Sequence, residues 1–241
     1  MPQAEGLQAI LFDCDGVLSD TERDGHRVAF NEAFAAQGLD VAWSVERYGE
    51  LLTTGGGKER MRRHFDETGW PVPEDGRDAL IAALHKDKTD RFVAMIEAGR
   101  LPLRPGVARL VDEAMAAGVR LAVCSTSNER AVQGIVSVNL GPERAAAMPV
   151  FAGDVVPKKK PDPAIYLLAA DKLGLDPARC VVVEDSANGL KAALAAGMTC
   201  VVTISSYTGE EDFTGAAKVI PELGDGAGAN LTVENCAALV A

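Results

Sequence analysis

The sequence predicts an α/β protein, a doubly wound parallel sheet with a helical domain inserted after its first strand. Three observations predict it. Short apolar runs recur along the chain, "AILF", "VRLAVC", "PVFAG", "CVVVE" and "TCVVTI", each with the length and continuity of a strand buried on both faces. Most are separated by stretches of helical period, and strand alternating with helix implies right-handed crossovers and a parallel sheet. Between Thr21 and about Leu101 the runs stop, and only helical patterns remain.

Taken in order, "AILF" is the first strand and "DCDG" ends it. The insert follows with "GHRVAFNEAFAAQG", "GKERMRRHFDETG" and "DALIAALHKDKTDRFVAMIEAG". Its two crossings, "LSDTE" and "GRLPLRPG", hold residues suited to linkers. Domains are therefore expected at 1–20 with 102–241, and at 21–101. Beyond the insert, "RPGVARLVDEAMAAG" stops at Gly118 and "PDPAIYLLAADKLG" at Gly174, while "SANGLKAALAAG" starts at Ser186 and stops at Gly197, each glycine a helix terminator. The closing "ELGDGAGANLTVENCAALVA" is glycine-rich at first and receives no element.

The chain has 241 residues, 47% of them hydrophobic, enough for a sizeable core. A net charge of −11 and a pI near 4.8 argue against a nucleic-acid or anionic-membrane partner, because either needs a basic face. No apolar stretch reaches the roughly 18 residues of a membrane span. The start "MPQAEGLQA" lacks the regions of a secretory signal, so a soluble protein is expected. Cys14, Cys124, Cys180, Cys200 and Cys236 show no CxxC spacing and sit mostly in apolar runs, as reduced thiols do.

Chemistry enters where polar residues end the apolar runs. The first run ends in Asp13 and Asp15, the second in Ser125, the fourth in Glu184 and Asp185. Carboxyl ends of parallel strands gather on one sheet edge, where ligands bind at the topological switch point. Asp13 and Asp15, two apart in an extended chain, point to one face. Carboxylates that close need either a shared proton or a cation, and at neutral pH a hard divalent metal held by oxygen is the cheaper answer. A lysine of "PKKKPDP" would add balancing charge. Each piece alone has a plainer reading: a turn or cap for "DCD", a helix cap for Ser127 or Asn128 in "STSNER", a solvated loop for "KKK". An EF-hand is excluded, since its fifth and sixth positions would be Val17 and Leu18.

The ordered set "DCDGVLSDTE", "VCSTSN", "KKPDPAIY" and "VVVEDSANGLKAALAAG" resembles the haloacid-dehalogenase-like hydrolases, in the branch with a helical cap after the first strand, from Leu7 to about Tyr207. The resemblance implies a Rossmann-like core, Mg2+ as cofactor and phosphoryl transfer through an aspartyl phosphate. It assigns Asp13 as nucleophile, Asp15 as general acid and base, and Ser125 and Lys160 as the hydroxyl and cation on the transferring phosphoryl group. Asp185 becomes a metal ligand alongside Asp13, Glu184 a direct or water-mediated one, and Asp15 contributes its backbone carbonyl. Lys158 and Lys159 are expected to be bystanders. Val17 departs from the threonine common at that position, beyond the acids.

In the insert, "LLTTGGGKERMRRHF" sets three glycines before a helix on which Lys58 and Arg62, at i and i+4, share a face. That arrangement suits an anion or, equally, a flexible loop before an exposed basic helix. It is no Walker loop, for Glu59 follows the lysine. Together with "DTERDGHRVAFNEAF", "LPLRPGVARLVDEA" and "FAGDVVPKKKPDPAIY" it is similar to the CbbY proteins of photosynthetic organisms, especially the plant and algal chloroplast form. That likeness implies a phosphatase for xylulose 1,5-bisphosphate, an inhibitor of Rubisco. It casts Glu22 and His26 as contacts to substrate hydroxyls, and Lys58, Arg62, Ser127 and Asn128 as anchors for the distal phosphate. The expected partner is a small phosphosugar, with no nucleic acid and no membrane, bound by a monomer in the chloroplast stroma or, failing that, the cytoplasm. A β-phosphoglucomutase-like isomerase on the same scaffold is the alternative.

Overall fold

The computed structural model of the chain describes residues 6–54 and 56–240. Gly55, the first of the three insert glycines, and the terminal residues of the expected domains lie outside the described residues. The chain divides into two compact units, Met1–Asp20 with Leu101–Ala241, and Thr21–Arg100. Leu101 falls with the first unit, one residue from the boundary expected, because it is wholly buried there and its carbonyl accepts from Asn139 Nδ2.

Strand β1 (Ala9–Phe12) is followed by the second unit, whose described elements are all helical: a π-helical turn at Thr21–His26, then α1 (Arg27–Ala36), α2 (Val45–Leu52), α3 (Gly57–Thr68) and α4 (Arg77–Glu97). Its core is aromatic. Phe30 and Phe34 on α1 pack against Trp43, tilted and edge-on, at centroid separations of 4.8 and 4.9 Å, and Tyr48 and Phe65 close the cluster. The α2 helix went unpredicted: Gly49 interrupts its pattern, yet Ser44 caps it by accepting from Arg47 N–H at 3.1 Å.

The first unit resumes with α5 (Val107–Ala116), β2 (Arg120–Ser125), α6 (Glu129–Asn139), α7 (Gly141–Ala147), β3 (Val150–Ala152), α8 (Ala164–Leu173), β4 (Cys180–Glu184), α9 (Ala187–Ala195), β5 (Thr199–Thr203), β6 (Lys218–Ile220) and α10 (Val233–Ala238). The strands form one all-parallel sheet in the order β3-β2-β1-β4-β5-β6. Ala9 pairs with Arg120 on one side and Cys180 on the other, so the chain's direction of progress reverses between β1 and β4. This is the doubly wound, Rossmann-like order, with its switch point beside the end of β1.

The alternation of a strand sorts the core. Ala9, Leu11, Ala122, Cys124, Cys180, Val182, Cys200 and Val202 face α8 and α9 and pack against Tyr166, Ala169, Leu190 and Ala193. The intervening Ile10, Phe12, Leu121, Val123, Val181, Val183 and Val201 are buried too, with α5 and α7 against β2. Burial on both faces is why these runs read as continuously apolar.

Candidate active site

Strand β1 ends at Phe12, so Asp13 and Asp15 do not lie on one strand face as their spacing implied. Asp13 N–H still donates to Val183 O at 2.9 Å, which seats it beside β4. The chain then turns: Val17 and Leu18 N–H reach back to Cys14 O, Gly16 N–H donates to Ser19 O, and Gly16 takes φ +77°. A Cβ on Gly16 would stand 1.9 Å from Asp185 Oδ2, so the position demands glycine for close approach as well as for conformation. Arg104 fastens this turn from the far linker: its guanidinium donates to Gly16 O, to Thr203 Oγ1 at 2.9 Å, to Ile204 O at 2.6 Å and to Pro221 O at 2.8 Å.

Three strand ends, those of β1, β2 and β4, and one loop thereby deliver their polar groups to one place. Lys160 Nζ donates to Asp13 Oδ1 at 2.8 Å, Cys124 O at 2.8 Å and Glu184 Oε1 at 2.6 Å, using all three of its N–H groups. Tyr166 OH donates to the same Glu184 oxygen, and Asp185 N–H to Glu184 Oε2 at 3.2 Å. Asp13, Glu184 and Asp185 are nearly or fully buried, and each offers an oxygen within 4.8 Å of the others. Ser125 closes β2, buried, its Oγ accepting from Ser127 N–H at 3.1 Å. Asp15 stands outside the three-carboxylate set, and its side chain accepts from Ser127 Oγ.

The electrostatics answer the question raised by paired acids. Burial pushes Asp13 up to about 7; Lys160 opposes this, while Glu184 and Asp15 add to it. Asp185 is raised well above the carboxylate range, first by burial and then by Asp13 and Glu184, with a hydrogen bond from Ser205 pulling the other way. Burial pulls Lys160 down, but Asp13 and Glu184 outweigh it and raise the ammonium above its ordinary range. One cation thus serves two of the three carboxylates, Asp13 and Glu184. An oxygen-only donor set carrying unbalanced negative charge fits a hard divalent ion such as Mg2+. Burial raises the flanking thiols, Cys124 to about 12, so they stay protonated.

Gly189, in the first turn of α9, was not recognised from the sequence as part of this site. A Cβ there would lie 1.9 Å from Glu184 Cδ. Gly→Ala inside a helix ordinarily stabilises by about 1 kcal/mol. Gly189→Ala is expected to do the reverse, lowering stability by about 1–3 kcal/mol through overpacking and cutting phosphate release. Urea unfolding checks the sign, and a stabilised variant would show that Glu184 has room to move.

The second unit holds its own polar cluster. Tyr48 OH donates to Glu22 Oε2 and accepts from Arg60 Nη1 at 3.1 Å, Arg60 approaches Glu22 at 3.7 Å, and Lys88 Nζ lies 2.9 Å from His26 Nδ1. Burial and then the Lys88 and Arg60 charges lower His26 well below its usual value, keeping it neutral. Burial brings Lys88 down to about 8, with Glu22 opposing and Arg60 assisting. Glu22 and His26 are thus brought together with Tyr48, Arg60 and Lys88, which sequence reasoning did not single out. Lys58 and Arg62 are not in this cluster: Lys58 is exposed, and Arg62 pairs with exposed Asp78 at 2.7 Å. Asn128 is exposed and caps α6, accepting from Ala131 N–H at 3.3 Å.

A carboxylate beside a buried lysine and two further acids thus stand together at the switch point of a parallel sheet, where ligands bind in open α/β folds. The family model for haloacid dehalogenase-like hydrolase matches residues 7–197, and the chain belongs to that family. It is an enzyme of the phosphatase type. The CBBY-like protein of Arabidopsis thaliana is 62% identical over 221 residues, covering 90% of this chain and 69% of that one. Protein CbbY of Cereibacter sphaeroides is 47% identical over 231 residues, covering 94% and 98%. Among solved structures, a mutant CbbY from Rhodobacter sphaeroides in complex with xylulose-(1,5)bisphosphate aligns with a TM-score of 0.71 at 44% identity, covering 91% of this chain and 96% of that one.

Proposed function

We propose that the chain is a Mg2+-dependent sugar-bisphosphate phosphatase that converts xylulose 1,5-bisphosphate to xylulose 5-phosphate and phosphate through an aspartyl phosphate on Asp13. The observation that carries the proposal is Lys160 bonded at once to Asp13 and Glu184, with Asp185 alongside. The likeness to a CbbY bound to that bisphosphate supports the substrate.

Asp13, Glu184 and Asp185 would hold the ion, with the Asp15 carbonyl as a further ligand; when bound, it supplies positive charge that offsets the carboxylates and phosphoryl oxygens. With Oδ1 tied to Lys160, Asp13 attacks phosphorus through Oδ2, and the bond from phosphorus to the sugar oxygen breaks. Asp15, steadied by Ser127, gives that oxygen a proton. The Lys160 ammonium and the Ser125 hydroxyl meet the charge spread over the phosphoryl oxygens. In the second half Asp15 takes a proton from water, the water oxygen bonds to phosphorus, and the bond to Asp13 breaks, restoring the carboxylate.

Within the insert we assign Glu22 and His26 to the sugar hydroxyls, and Arg60 with Lys88 to the distal phosphate in preference to Lys58 and Arg62. The chain is proposed to act as a monomer. Likeness to the plant protein supports a chloroplast stroma setting and the removal of a Rubisco inhibitor.

The test is phosphate release from xylulose 1,5-bisphosphate, ribulose 1,5-bisphosphate and hexose phosphates, with Mg2+ and with chelator. Xylulose 1,5-bisphosphate is expected to lead by about tenfold or more in kcat/KM, a difference of about 1.4 kcal/mol in transition-state binding, and chelator to stop release. Hexose phosphates interconverted without orthophosphate would make it a mutase. Release indifferent to chelator would remove the metal.

A further inference from the structure

Tyr166 takes no part in the chemistry above, yet it is fully buried against two of the groups that do. Its ring centroid lies 5.0 Å from Lys160 Nζ, and its hydroxyl donates to Glu184 Oε1. That oxygen also accepts from Lys160 at 2.6 Å, while the same ammonium donates to Asp13 Oδ1 at 2.8 Å. The third N–H goes to Cys124 O, so none is spare.

Two buried carboxylates therefore compete for one cation. Glu184 is 0% exposed and has no solvent to satisfy it, so a Glu184 oxygen short of a donor would draw the ammonium to itself. A neutral hydroxyl meets part of that demand without adding charge, and the ring beneath Lys160 gives the ammonium an attractive seat between its partners. The Gly189 backbone also lies close against the Glu184 carboxylate, where even a Cβ would not fit.

We propose that Tyr166 is a positioning residue: its hydroxyl occupies Glu184 Oε1 so that Lys160 remains bonded to Asp13 Oδ1 and keeps the nucleophile turned for attack. The inference rests on the reading of Asp13 as nucleophile. Without the hydroxyl, Lys160 shifts toward Glu184, Asp13 loses its anchor, and the carboxylate set changes its spacing.

Tyr166→Phe tests this while keeping ring and volume. The expected result is a kcat lower by about 10-fold or more, as for other groups that orient a metal site from outside, with KM nearly unchanged. Mg2+ titrated against the melting temperature of the substrate-free protein should show a weakened dissociation constant. In a crystal structure of the variant, the Lys160–Asp13 separation should exceed about 3.2 Å, beyond ordinary hydrogen-bond range. An unchanged kcat, or a Lys160–Asp13 bond retained in the variant, overturns the inference. Asp13→Asn run beside it separates the two readings. An inactive Asp13→Asn with a fully active Tyr166→Phe sinks only the role of Tyr166, whereas an active Asp13→Asn sinks the nucleophile and the inference with it.

Discussion

Lys160→Met is expected to abolish phosphate release and to cost about 3–5 kcal/mol of stability at pH 8 in chelator, the usual result of stripping a buried ion pair of one partner. The size follows from where the charges lie. The Lys160 side chain is 7% exposed, and its partners Asp13 and Glu184 are 12% and 1% exposed, so water cannot replace the lost cation. Methionine fills the space, which confines the change to charge and hydrogen bonding. Burial already raises the Asp13 carboxyl, and losing the Lys160 charge that opposed the rise lifts it further above its unfolded value. The folded protein then holds a proton that the unfolded chain has released, and the defect should grow as pH rises and shrink toward pH 5. Urea midpoints of parent and variant at the two pH values measure it. Equal midpoints at pH 8 would mean that Lys160 is not the counter-charge of this site.

Asp13→Asn should separate stability from function in the opposite direction. Removing a nucleophile that acts in concert with its neighbours costs about 10⁴-fold or more in kcat, and Glu184, the other carboxylate bonded to Lys160 among the described residues, has both oxygens engaged by hydrogen bonds. Yet the fold should gain. The Asp13 carboxyl is pushed from the ordinary 3.8 up to about 7, so between those values the folded chain holds a proton that the unfolded chain has released, and stability falls as pH rises through the window. Asparagine carries no charge at any pH and still offers Oδ1 to Lys160. In chelator the variant should therefore melt above the parent at pH 8 and beside it near pH 4. The interval from 3.8 to about 7 caps the gain at about 4 kcal/mol. Mg2+ should stabilise the parent more than the variant. Undiminished phosphate release by Asp13→Asn would refute the assignment, and a variant less stable at pH 8 would refute the electrostatics.

What was legible in the sequence, and what was not, follows from range. Strands β1, β2, β4 and β5 announce themselves because burial on both faces makes each continuously apolar. The site residues Asp13, Ser125, Glu184 and Asp185 stand out because each breaks such a run at its carboxyl end. Strand β6 stayed hidden: it has three residues, of which Lys218 and Val219 are exposed, so it carries no pattern of its own. Helix α10 lies behind a glycine-rich approach, although Thr232 and Asn235 form a capping box there. In the insert, Lys58 and Arg62 drew notice by helical spacing, whereas Arg60, two residues on and facing elsewhere, makes the contacts with Tyr48 and Glu22. Tyr166 and Gly189 read as ordinary helix residues. Their role depends on Glu184, which meets them only after the sheet has brought α8 and α9 to β4.

The central position of β1 also bears on how the molecule is made. Synthesis produces this strand before the others of the sheet, and the neighbours that pair with it, Arg120–Ser125 and Cys180–Glu184, come off the ribosome only after the whole insert. At about 5–20 residues per second the strand waits several seconds or more for its first partner. Phosphatase competence is consequently among the last properties a nascent chain acquires, and a truncated product ending after the insert carries Asp13 without the Lys160 and Val183 that hold it.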